Sequence, residues 1–87
     1  MAYTTTSWPE RAAAFAAEAH GKWIEYCVAV EADCRARDEY EATCAGSSDA
    51  RDVAELAWTA TTERRMGVRK AYDAARAQLI DHVESLR

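Results

Sequence analysis

The sequence predicts an all-α protein, folded as a long antiparallel two-helix hairpin. Three observations predict it. Apolar residues recur at three- and four-residue intervals along both halves of the chain. One proline and three glycines in 87 residues are too few to punctuate a β or loop-rich fold. A single cluster of turn residues, Gly46-Ser47-Ser48-Asp49, lies near the midpoint.

The elements follow in chain order. Residues 1–6 read as a flexible N-terminus. Ser7-Trp8-Pro9-Glu10 has the S-x-x-E spacing of a capping box, and proline is tolerated in a first helical turn, so a first helix is expected over 7–45. Residues 46–48 form the turn, with Gly46 expected in the left-handed region and Ser48 or Asp49 capping a second helix over 49–86. Each arm then extends about 56 Å at 1.5 Å per residue. Gly21, Gly67 and the stretch Thr59 to Thr62 are the points where an arm would kink, which would give three or four helices instead.

Each arm carries a stripe at helical spacing. On the first it reads Ala13, Ala16, His20, Trp23, Cys27, Val30, Cys34, Arg37, Glu41 and Cys44. On the second it reads Val53, Ala57, Ala60, Arg64, Val68, Ala71, Ala75, Leu79, His82 and Leu86. Folding the arms about Ser47 brings Phe15 near Leu79, Trp23 near Ala71, Cys27 near Gly67 and Trp58 near Ala36. Large residues meet small ones, as close packing requires.

Composition sets the limit on this hairpin. The chain is 49% apolar, but 20 of those residues are alanine, and Leu, Ile, Val and Phe together number only 11. That is fewer than a chain of this length normally uses to build its own core. A net charge of -4 with so little Pro and Gly argues against disorder. A hairpin buries one stripe of each helix, so Ile24, Val28, Leu56, Met66, Tyr72, Ile80 and Val83 are expected off the seam. They form a candidate self-association surface that completes a dimeric four-helix bundle.

Charge is uneven. Residues 1–48 hold eight acids and four bases, whereas the rest balance at seven each. Glu31, Asp33, Asp38, Glu39 and Glu41 form a dense acidic segment near the turn and, with Trp8 as an aromatic anchor, a candidate partner-binding surface. The segment reads as a solvated helix face or, more sharply, as a phosphate-like surface that occupies a partner's basic groove. Arg65, Arg69 and Arg76 line a face of the second arm, but no wider basic excess supports direct nucleic-acid binding.

Other function classes find little footing. No apolar run is long enough to cross a bilayer, and no basic leader precedes a 7–15-residue apolar stretch, which predicts a cytoplasmic protein. Three cysteines, an odd number, fit free thiols. His20, Cys27 and Cys34 are spaced seven apart, about 10.5 Å along a helix, too far to share one zinc ion. Neither histidine follows a Glu at the spacing that di-iron bundles use, and the glycines stand singly, so no phosphate loop is expected. No catalytic group, cofactor or metal site is expected. The expected function is a small acidic, non-catalytic binding module or regulator that forms a homodimer and occupies the surface of another protein. The alternatives are a phage-type inhibitor of the anti-CRISPR kind, acting as a nucleic-acid mimic, and a structural component of a bacterial or phage assembly.

Overall fold

The computed structural model describes residues 8–43 and 46–86. It consists of two helices, α1 (Trp8–Thr43) and α2 (Ser48–Glu84), packed against each other as an antiparallel hairpin. They are 36 and 37 residues long, or about 54 and 56 Å. Both run unbroken through Gly21, Gly67 and the Thr59–Thr62 patch, so the expected kinks are absent. Continuous packing against the opposite helix outweighs these local weaknesses, each worth about 1 kcal/mol or less.

The connection between the helices falls earlier than expected and is one residue longer, 44–47 in place of 46–48. α1 ends at Thr43, whose hydroxyl donates to the Tyr40 carbonyl at 2.8 Å, and the Gly46 amide donates to the Thr43 carbonyl at 2.9 Å. Gly46 does not adopt a positive φ. The cap of α2 is Ser47, one residue before the two expected. Its backbone is extended, and its hydroxyl accepts the Ala50 amide at 3.2 Å. At the far end Ser85 closes α2, its amide donating to the Asp81 carbonyl and its hydroxyl to the His82 carbonyl. Ser7, Cys44 and the side chain of Trp8 lie outside the described residues.

The seam on α1 is displaced by one residue from the expected stripe. The inward track runs through Ala12, Phe15, Ala19, Lys22, Tyr26, Ala29, Asp33, Ala36, Tyr40 and Thr43, an unbroken alternation of three and four, with Val30 and Ala32 half-buried beside it. On α2 they are Ala54, Trp58, Thr61, Arg65, Val68, Tyr72, Ala75, Leu79 and His82; Val68, Ala75, Leu79 and His82 coincide with expectation and the others shift by one. One residue is about 100° of helix rotation. The inner track of α1 holds Phe15, Tyr26 and Tyr40 together with Asp33, which finds its partners on α2.

The pairing across the seam differs accordingly. Phe15 meets His82 at 5.1 Å between ring centroids, Trp23 meets Tyr72 at 5.2 Å, and Tyr40 meets Trp58 at 5.3 Å, all tilted. Rings meet rings, and alanines hold the helices close between them. The most buried residues are Ala19, Ala29, Ala36 and Ala75, and no large side chain is fully buried among the described residues. Gly67 does not face Cys27: both are exposed, and a Cβ at Gly67 would meet nothing within 4 Å.

Candidate interaction surface

The interior of the seam carries one polar clasp. Asp33 of α1 accepts the hydroxyls of Thr61 at 3.0 Å and Thr62 at 2.8 Å on one oxygen, and Arg65 Nε at 2.8 Å on the other. Its side chain is only 14% exposed. The Thr62 hydroxyl does most to hold the Asp33 carboxyl below its ordinary range, with Thr61 and Arg65 adding to it against the opposing effect of desolvation. Asp33 in turn raises the pKa of Arg65. Asp33 therefore points inward, and Arg65 leaves the exposed basic stripe to meet it.

The acidic segment is correspondingly altered. Glu31, Asp38, Glu39 and Glu41 stay exposed, while Asp33 does not belong to that surface. Glu31 pairs with Arg35 at 2.8 Å, and Arg37 lies 3.7 Å from Asp38 and 3.9 Å from Glu41. These are exposed pairs within one helix, each worth about 0.3–0.5 kcal/mol. A run of carboxylates interleaved with arginines is a poor copy of a phosphate backbone.

The α1 stripe expected in the seam forms an outer track beside it instead. Ala13, Ala16, His20, Trp23, Cys27 and Cys34 are exposed, and Val30 is half-buried. A shallow groove lined by Ala19, His20, Trp23, Tyr72, Arg76 and Leu79 places this track on the same side of the hairpin as Arg76 of α2. Arg69 lies there too, its guanidinium 5.2 Å from the Tyr26 ring centre and 5.8 Å from that of Tyr72, and its Nε 3.2 Å from Asp73. Met66, Ile80 and Val83 sit three, four, seven or eleven residues from Arg69 and Arg76, and so continue the same side along α2. A second groove toward the turn is polar at its rim, lined by Tyr40, Glu55, Trp58, Thr59, Thr62 and Glu63.

One flank thus gathers large apolar side chains that the hairpin leaves uncovered: Trp23 at 41% exposure, Met66 at 61%, Ile80 at 45% and Val83 at 42%. Of the expected self-association residues, Met66, Ile80 and Val83 lie on it. Tyr72 is half-buried in the seam at its edge, stacked on Trp23. Ile24 and Val28 are exposed but on the outer side of α1, and Leu56, 71% exposed, is on the outer side of α2 near the turn. On α1 the flank coincides with the 3-4 stripe that periodicity predicts for the seam.

Cys27 and Cys34 are free and exposed on this flank. Among the described residues no three His, Cys, Asp or Glu side chains come together as metal ligands, and no helix is long and apolar enough to cross a membrane. No family model, curated protein or solved structure matches the chain.

Proposed function

We propose that this protein is a non-catalytic interaction module that self-associates through the flank of Trp23, Met66, Ile80 and Val83, completing a four-helix bundle, and acts by presenting the assembled surface to another macromolecule. The observation that carries this reading is that four bulky side chains stay exposed along one flank of a hairpin whose buried residues are all alanines. Covering those four side chains is worth on the order of 8 kcal/mol per copy at about 25 cal/mol per Å². Part of that gain is offset by the cost of association, which leaves a reversible contact.

Sedimentation across the micromolar range tests it. The wild-type chain is expected to move from monomer to dimer with rising concentration, gaining helicity and thermal stability as it does. Met66→Glu and Ile80→Glu, each placing a charge on the flank and none in the seam, are expected to shift that equilibrium toward monomer. A wild-type chain that stays monomeric throughout, with stability independent of concentration, refutes the reading.

A further inference from the structure

We infer that the two copies meet flank to flank with their turns at the same end, the two-fold axis running along the length of the hairpins. This rests on the self-association proposed above and adds its geometry. The flank changes character along its length. Near the open end α1 contributes the small Ala13 and Ala16, level with the larger Val83 and Ile80 of α2, as the Phe15–His82 pair fixes. At mid-length Val30 lies near the level of Met66, as the Asp33–Thr62 bond fixes. Toward the turn the flank becomes polar, ending in Glu41 and Glu55.

An axis along the hairpins lays α1 of each copy on α2 of the other at the same height. Ala13 and Ala16 then receive the second copy's Val83 and Ile80, and Val30 receives its Met66. Small faces large at the open end, and apolar faces apolar at these three levels, which favours interior packing density there. The costs fall at the turn end, where Glu41 and Glu55 of the two copies approach in open solvent, and at mid-length, where Arg69 and Arg76 come against the second copy's α1.

The opposite arrangement, with turns at opposite ends, lays α1 on α1 and α2 on α2. Full overlap then sets each apolar open half on the other copy's polar half, with Ile80 near Asp52, in return for exposed ion pairs such as Arg76 with Glu55. Exposed pairs weigh little beside lost apolar cover. Sliding the copies until only the open halves overlap sets Trp23 on Trp23, large on large, and leaves Met66 uncovered. In the arrangement inferred here the apolar flank supplies on the order of 500 Å² per copy, about 1,000 Å² in the pair, near the floor for a specific interface. A reversible dimer follows from that.

The distance between the two turns decides the question. In a chain carrying Cys27→Ala, Cys34→Ala and Cys44→Ala, Asp49→Cys is labelled with a nitroxide and pulsed dipolar spectroscopy reads the separation. Turns together give a distance within about 35 Å, from helix spacings of 8–10 Å plus the label arms. Turns apart give more than about 55 Å, the length of the hairpin. A dimer with the long distance overturns the arrangement and leaves self-association standing; a labelled chain and wild type that are both monomeric overturn self-association. The wild-type cysteines give a second readout should the labelled chain alone fail to pair. Mild oxidation with copper phenanthroline followed by peptide mapping is expected to yield no intermolecular Cys27–Cys34 bond, because those residues come level only when the turns are at opposite ends. Finding that bond as the main product overturns the arrangement as well.

Discussion

Arg65 Nε on α2 donates to Asp33 Oδ2 on α1 at 2.8 Å, in the middle of a seam otherwise lined by alanines and aromatic rings. With Thr61 and Thr62 on the other oxygen, the carboxylate is satisfied on both sides. The clasp links positions about 30 residues apart and sets the register of two helices whose alanine tracks would otherwise slide. Asp33→Ala is therefore expected to lower the thermal midpoint more than Glu31→Ala, which removes only an exposed pair; circular dichroism melts compare the two.

The same carboxylate makes stability depend on pH. Asp33 is held below its ordinary carboxyl range in the folded chain, by Thr62 first and then Thr61 and Arg65. A depressed carboxyl contributes stability that is present above its unfolded pKa of about 3.9 and is lost as the pH falls through the lower folded value. The difference in melting point between wild type and Asp33→Asn is expected to be largest near neutrality and to shrink below about pH 4. A difference that is constant or grows toward acid contradicts the assignment.

Gly67 lies within α2, exposed, with open space where a side chain would begin. Gly67→Ala is expected to stabilise the chain by about 1 kcal/mol through helix propensity alone. Urea unfolding measures it. Loss of stability would mean that another surface closes on Gly67.

Ser47 caps α2 through the Ala50 amide. Ser47→Ala is expected to cost about 0.5–2 kcal/mol, whereas Ser48→Ala, one residue inside the helix, is expected to be near neutral. Urea midpoints of the two variants test which residue is the cap.

His82 Nε2 is buried beside Phe15 with no hydrogen-bond partner among the described residues. An unsatisfied buried polar atom costs about 1–3 kcal/mol. His82→Leu, of comparable reach and without that atom, is expected to raise stability by about 1 kcal/mol, read from the same unfolding curves.

The hairpin was legible in the sequence because its signals are local: the scarcity of breakers from Glu10 onward, the serine and glycine cluster at 46–48, and 3-4 periodicity on both arms. The face of α1 that turns inward was not, because periodicity gives a spacing and no phase. Ala13-Ala16-His20-Trp23 and Ala12-Phe15-Ala19-Lys22 both satisfy it, and the second contains a lysine where the first does not. The signal that separates them lies across the chain, in Asp33 having two threonines and an arginine to meet. For the same reason the acidic segment looked uniform: nothing adjacent to Asp33 in sequence distinguishes it from Glu31 or Asp38. The uncovered flank followed from the shortage of bulky aliphatics, which counting alone reveals, but its membership depended on the phase.

A helix with two usable tracks side by side has two ways of lying on its neighbour. α1 could roll by about 100° and still offer a stripe of small and aromatic residues to α2, with Trp23 and Cys27 inside and Phe15 and Tyr26 outside. Asp33 opposes that roll, since turning it out to solvent would break its bonds to Thr61, Thr62 and Arg65. The clasp thereby does more than join two helices: it favours one apolar stripe for the protein's interior and leaves the other on its surface.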